Sequence, residues 1–321
     1  MDQQRLDLSG FANKIQEIRK NIANVVVGQN TTVDLIITAI LAEGHVLLEG
    51  VPGVAKTLIA RTVSKLINAD FGRIQFTPDL MPSDVIGTEV FNMKSGDFDF
   101  HKGPVFADIV LVDEINRAPA KTQAALFEVM QERQVTVDST TYSMNPVFTI
   151  IATQNPVEQE GTYKLPEAQL DRFIMKIFVG YPSAAEEMEI LRRHSNSNGF
   201  TQLNDVKPII SINDIMEMRK LIPQVVITNE LAKYIVDIIQ ATRVHRYIYL
   251  GASPRASVAL MQSAKAFALL QGRDFVTPDD IQLLAHPVLQ HRLMLSTDAE
   301  LDGQTTNNVI KSIIANIEVP K

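Results

Sequence analysis

Gly50-Val51-Pro52-Gly53-Val54-Ala55-Lys56-Thr57 packs two glycines, a lysine and a hydroxyl into eight consecutive residues. A glycine-rich turn lets backbone N–H groups come close to an anion, and a helix starting straight after it adds the positive end of its dipole. That arrangement suits the phosphates of a nucleotide. Lys56 then supplies a point charge for the β- and γ-phosphates, and Thr57 a hydroxyl ligand for Mg²⁺. Val51, Pro52, Val54 and Leu58 complete the stretch expected along the nucleotide. The run departs from the GxxxxGK[ST] pattern at one residue. Ala55 stands where the second glycine usually does, and alanine disfavours positive φ.

Leu111-Val112-Asp113-Glu114 ends an apolar run with two acids. A strand buried on both faces delivers such a pair to its C-terminal edge, where open α/β sheets bind ligands. Asp113 is expected to hold Mg²⁺, directly or through water, and Glu114 to polarise the attacking water. Asn155 follows the strand Phe148–Ile151 and is placed to fix that water or to sense the γ-phosphate. Taken alone, a turn asparagine before Pro156 is the commoner explanation. Arg172 lies in Leu165-Pro166-Glu167-Ala168-Gln169-Leu170-Asp171-Arg172-Phe173, just before another strand. An exposed arginine there reaches a neighbouring subunit's nucleotide, and such fingers are worth about 10³–10⁵ in rate. The alternative is an ion pair with Asp171 or Glu167. Arg255 opens a helix after Gly251-Ala252-Ser253-Pro254, where a cation opposes the dipole and calls for an anionic partner. A phosphate would serve, and plain solvent exposure is the alternative.

These residues need a scaffold, and the chain spells one out. Short apolar runs alternate with helix-period segments up to about residue 181, the pattern of an α/β domain. Strands are expected at His45–Glu49, Arg73–Phe76, Ile109–Asp113, Phe148–Thr153 and Ile174–Val179. Intervening helices, among them Lys56–Ile67 and Ala120–Glu132, permit parallel crossovers. An opening helix aligns Phe11, Ile15, Ile18 and Ile22, and another runs from about Thr32 to Ala42. The stretches 78–106 and 134–146 read as inserted β-hairpins. From Ser183-Ala184-Ala185-Glu186, a capping box, the chain reads as helices. Thr228, Ser253-Pro254 and Thr277-Pro278 start three of them, and Gly272 closes one. The division is thus 1–181 for the α/β domain and 182–321 for the helical one.

The 321 residues carry 37 acids against 30 bases, and a net charge of −7 does not make nucleic acid the default partner. No cysteine is present, which excludes thiolate chemistry, disulfides and cysteine metal sites. The six histidines do not fall at ligand spacing. No apolar run approaches the ~20 residues of a membrane helix, and the first residues lack the basic start of a secretory signal. The expectation is a cytoplasmic protein with no membrane insertion.

Taken in order, these elements resemble an AAA+ ATPase. Residues 50–57 correspond to Walker A, 110–114 to Walker B, Asn155 to sensor 1, Arg172 to the arginine finger and Arg255 to sensor 2. The wordings Gly50–Thr57, Asp113-Glu114-Ile115-Asn116-Arg117-Ala118 and Leu165–Phe173 are similar to the MoxR family in particular, where alanine at position 55 is a family trait. The resemblance implies sheet order 5-1-4-3-2, an all-α lid, ATP/ADP and Mg²⁺ as ligands, and a homo-hexameric ring with sites between subunits. It puts Gly28 and Gln29, within Val26-Val27-Gly28-Gln29, on the adenine side, and identifies the hairpins as the helix-2 and pre-sensor-1 insertions. It leaves open whether Arg255 serves its own nucleotide or the neighbour's. It further implies a chaperone-like role toward a protein client, such as a von Willebrand factor A domain protein. Two rival functions remain at this point, an ATP-binding switch with slow hydrolysis and a nucleic-acid motor. The acidic tip of the first hairpin argues against the motor.

Overall fold

The structure is a computed structural model that describes residues 8–156, 163, 165–195 and 203–320. Five strands form one parallel sheet: β1 Val46–Glu49, β2 Phe71–Gln75, β3 Ile109–Asp113, β4 Thr149–Gln154 and β5 Met175–Phe178. Their spatial order is β2-β3-β4-β1-β5, the 5-1-4-3-2 order that the resemblance implies. Side chains alternate between the two faces of a strand, and the buried residues sort accordingly. Val46, Leu48, Ile109, Leu111 and Ile151 join one apolar cluster. Leu47, Val110, Val112, Ile150 and Ala152 join the other. Each valine, leucine or isoleucine among them contributes about 1.5–3 kcal/mol when buried, so the sheet needs a helical layer on both faces. α1 Ser9–Val25, α2 Asn30–Leu41 and α3 Lys56–Leu66 cover the first face, and α4 Ala120–Glu132 covers the second.

The C-terminal part is built on α5 Ala184–Ser195, α6 Ile212–Leu221, α7 Asn229–Val244, α8 Pro254–Leu270, α9 Pro278–Leu289 and α10 Thr306–Asn316. Their starts are capped as the sequence indicates. Ser183 N donates to Glu186 Oε2 at 2.7 Å while Glu186 N donates to Ser183 Oγ at 3.4 Å. Thr228 caps α7 and a Thr277–Asp280 box caps α9. Gly272, at φ +74°, turns the chain out of α8. One apolar cluster runs from the first sheet face into these helices, with α8 packed on α2. Arg219 of α6 is buried at the end of α2, donating to Ile40 O at 2.6 Å and to Pro146 O at 2.7 Å. A cation there complements the negative helix terminus, and burial pushes its pKa down to about 10. The all-helical expectation needs one correction. Ile248–Leu250 pairs antiparallel with Met294–Leu295. Segments of three and two residues are too short to show a strand period.

Both hairpins are present. Gly87–Asn92 pairs with Asp97–Lys102, and Gln134–Val137 with Thr140–Ser143. Asp138 and Ser139 take φ of +41° and +71°, the positive pair that a tight two-residue hairpin turn requires. The first hairpin is largely exposed on both faces, and Phe91 and Phe98 face each other across it with ring centroids 5.3 Å apart. At its base Phe100 lies against Tyr142 of the second hairpin, centroids 4.6 Å apart.

Candidate active site

The loop between β1 and α3 lines a cleft of about 400 Å³ at the C-terminal edge of the sheet. Its two glycines are needed for different reasons. A Cβ on Gly50 would stand 2.4 Å from the carbonyl oxygen of Val179, so that position is set by close packing on the end of β5. Gly53 has open space around it but φ +88°. Ala55, the residue that departs from the pattern, adopts φ +62°, the conformation its glycine counterpart would take freely. α3 begins at the next residue, so Lys56 and Thr57 sit in its first turn. Lys56 Nζ donates to the loop carbonyls of Gly50 and of Val51, the latter at 2.9 Å.

Asp113 and Glu114 leave the end of β3 into the same cleft, joined by Thr153 and Asn155 from β4 and its exit. Asp113 is buried, and Arg73 Nε donates to its Oδ2 at 2.8 Å. Thr153 Oγ1 donates to Asp113 Oδ1 at 3.3 Å and accepts from Glu114 N at 3.0 Å. Glu114 stands in the left-handed region at φ +57°, which turns its side chain off the line of the strand. Its Oε2 accepts from Gln75 Nε2 at 3.0 Å and pairs with Arg117 Nε at 3.0 Å. Lys56, Thr57, Asp113, Glu114 and Asn155, read separately from the sequence, thus share one cavity. Arg73, Gln75 and Thr153 were not singled out. Arg73 and Gln75 come from β2, beside β3, and only strand order reveals that neighbourhood.

A second cavity of about 230 Å³ adjoins the loop through Gly53, Val54, Ala55 and Leu58. Val26, Val27 and Gln29 form its other side. Gly28, at φ +77°, passes so close to the Glu186 carboxylate that a Cβ would stand 2.2 Å from Oε1. Pro182, Ile190 and His194, from the start and the end of the α5 segment, close the pocket. The sequence analysis missed these three. Ile190 and His194 are four apart and face one side of a helix, a signal that points to the pocket once α5 is placed over it.

Arg172 and Arg255 are not in either cavity. They meet in a third, of about 300 Å³, with Asp171, Arg133 and Arg292. Arg172 precedes β5 and Gly44 precedes β1, so this cavity opens at the N-terminal edge of the parallel sheet. Arg172 is half-buried rather than exposed, and its Nη1 donates to Phe127 O at 2.6 Å. The alternative partner Asp171 is engaged elsewhere. Arg292 Nε donates to its Oδ1 at 2.6 Å, and Arg255 Nη1 lies 3.8 Å from its Oδ2. Within the described residues the anion beside Arg255 is thus the Asp171 carboxylate, and more than half of the Arg255 side chain stays exposed. His45 and His291 are buried in this region as structural groups. Ile150 N donates to His45 Nδ1 at 2.9 Å, so Nε2 carries the proton bonded to Met130 O at 3.1 Å. Burial lowers the His45 pKa to about 3. His291 Nε2 bonds Phe173 O at 2.9 Å, and burial drives its pKa down too.

Comparison with known proteins places this geometry in a class. Residues 45–175 match the ATPase family associated with various cellular activities (AAA), and residues 240–313 match the AAA lid domain. The fold is that of an AAA+ ATPase. Over 324 residues the chain is 42% identical to chaperone MoxR1 of Mycobacterium tuberculosis, covering 97% of this chain and 85% of that one. It is 47% identical over 301 residues to the uncharacterized protein YeaC of Bacillus subtilis, covering 94% and 93%. A crystal structure of a protein from Cytophaga hutchinsonii assigned as an ATPase superposes with a TM-score of 0.90 at 46% identity, over 98% of this chain and 97% of that one. The chain belongs to the MoxR family of AAA+ ATPases.

Proposed function

We propose that the chain hydrolyses ATP with Mg²⁺ in a ring of identical subunits, each active site being completed by the next copy, and that turnover remodels or activates a partner protein. One observation carries the shared site. Lys56, Thr57, Asp113 and Glu114 stand at the C-terminal edge of the sheet, and Arg172 and Arg255 at the N-terminal side. Strands of this length, at a rise of about 3.3 Å per residue, separate the two edges by roughly 15–20 Å. That is well beyond an arginine side chain. A finger that cannot reach its own nucleotide acts on a neighbour's, and a head-to-tail interface that closes makes a ring. On this reading Arg255 serves the neighbour as well.

The donor set fits magnesium. Thr57 and Asp113 offer oxygens only, from two sides of one cleft, and Mg²⁺ is usually held by one or two protein ligands plus substrate phosphates. When bound, it neutralises charge on the β- and γ-phosphates. The chain does the rest by positioning. The loop amides and Lys56 hold the polyphosphate, Glu114 orients the attacking water and Asn155 faces the same space. The adenine ring belongs in the apolar pocket of Val26, Ile190 and Leu58. The protein client is supported by the name of the chaperone relative and by Phe91, Met93 and Phe98, exposed on the first hairpin.

A slow regulatory switch is the second reading, favoured by the donors already bonded to both acids, Arg73 on Asp113 and Gln75 on Glu114. Specific ATPase activity against protein concentration separates the two. A shared site makes it rise with concentration. Arg172→Ala should then fall by about 10³ or more while still binding ATP. Glu114→Gln should bind ATP and barely turn over. Mixing these two inactive variants should restore activity, because the Glu114→Gln copies lend Arg172 to intact Glu114 sites. Flat specific activity with an unaffected Arg172→Ala would remove the ring from the mechanism.

A further inference from the structure

Asp113 has two carboxylate oxygens, and both are engaged. Thr153 holds Oδ1 and Arg73 holds Oδ2. Each oxygen keeps a further lone pair, but a metal ion drawn to Oδ2 meets the Arg73 cation already there. Thr153 is 2% exposed and tied down by Glu114 N, so it is fixed in place. Arg73 is the one with room to move. It lies on β2, the edge strand of the sheet, with 54% of its side chain exposed, and water is open to it on the outer side. It also lines the cleft, beside the phosphate-binding loop. Its guanidinium is a cation held 2.8 Å from the oxygen that a metal would use.

We propose that Arg73 is the resident counter-ion of Asp113, a gate that Mg²⁺ accompanying the nucleotide must displace. The inference rests on Asp113 as a metal ligand. Arg73 keeps the buried carboxylate paired and sets how much the metal adds to nucleotide affinity. The gate opens by movement of the Arg73 side chain. Gln75, two residues on along β2, donates to Glu114.

The test measures the dissociation constant of a non-hydrolysable ATP analogue by calorimetry, once in EDTA and once in excess magnesium chloride. The ratio of the two constants is the metal's contribution. In Arg73→Gln the affinity in EDTA should stay as in the wild type. The affinity in magnesium should tighten on the order of fivefold, the span of a half-exposed ion pair. Arg73→Lys keeps a competing cation and should leave the ratio close to the wild type. Should Arg73→Gln melt below the assay temperature, Arg73→Met removes the charge and keeps the apolar stem. A ratio that is unchanged or lower in the neutral variants overturns the gate. Weaker binding in EDTA overturns it too, since Arg73 would then be a phosphate ligand. Asp113→Asn tests the premise separately. It should bring the ratio toward one, and if it does not, Asp113 is not the metal's ligand, whatever Arg73 does.

Discussion

Replacing Thr153 with valine removes one oxygen and almost no volume. The hydroxyl accepts from Glu114 N at 3.0 Å and donates to Asp113 Oδ1 at 3.3 Å, and the residue is 2% exposed. The Glu114 amide is then left without its acceptor, which costs about 1–3 kcal/mol, and the longer bond to Asp113 adds about 0.5 kcal/mol. A total near 2 kcal/mol lowers the melting temperature by roughly 3 °C, at about 2 cal/mol/K of unfolding entropy per residue. The larger effect falls on turnover. Glu114 stands in a left-handed conformation that this bond helps to hold. A water-orienting carboxylate displaced by about 1 Å costs on the order of 10²-fold in kcat. Nucleotide affinity should change little, because the phosphate-binding loop is untouched. Steady-state ATPase kinetics and calorimetric melting of Thr153→Val and Thr153→Ser decide the matter. Serine keeps the hydroxyl and loses the methyl, so it should recover most of kcat. If serine is as impaired as valine, packing and not the hydroxyl is responsible. If valine keeps wild-type kcat, the bond does not position Glu114.

Two more expectations follow from backbone strain and buried histidine. At Ala55, φ +62° costs an L-residue about 1–2 kcal/mol, and glycine's extra freedom when unfolded offsets about 0.4–1 kcal/mol of the relief. Ala55→Gly should therefore stabilise the chain slightly, and a lower calorimetric melting temperature would mean that the methyl packs usefully. His45, lowered from 6.5 to about 3 by burial, stays neutral when folded and takes up a proton when unfolded. Its contribution is complete above pH 6.5 and is lost as pH falls toward 3, at about 1.4 kcal/mol per pH unit. His45→Gln should show a shallower decline of the urea midpoint between pH 6.5 and 5, and an identical slope would refute the assignment.

The phosphate-binding loop was legible because its signal is local. Strand, turn, glycines and helix start are consecutive, and each residue type carries its own reason. The strands were found within one or two residues of their ends, since runs such as Ile109–Val112 are buried on both faces. The sheet order came from resemblance, because periodicity says nothing about which strands are neighbours. Contacts across that order were therefore invisible, Arg73 to Asp113 and Gln75 to Glu114 above all. Arg255 shows the same gap from the other side. Its place at a helix start was readable, but its neighbours depend on how α8 lies over α2 and on where Asp171 ends up.

The first hairpin and the central sheet differ in one more respect. The five residues of β3 are buried and bonded on both sides. Their amides exchange with solvent hydrogen only when the whole domain opens. Gly87–Asn92 and Asp97–Lys102 form a sheet of two strands, with both faces largely in water. A lone two-stranded ribbon is marginally stable, and this one keeps its shape through the Phe91–Phe98 pair and the Phe100–Tyr142 contact at its base. Its amides exchange through local opening that leaves the rest of the molecule intact. In a hydrogen–deuterium time course the tip should fill first and β3 last. Any molecule that grips the tip would then announce itself as slowed labelling there, against an unchanged background in the sheet.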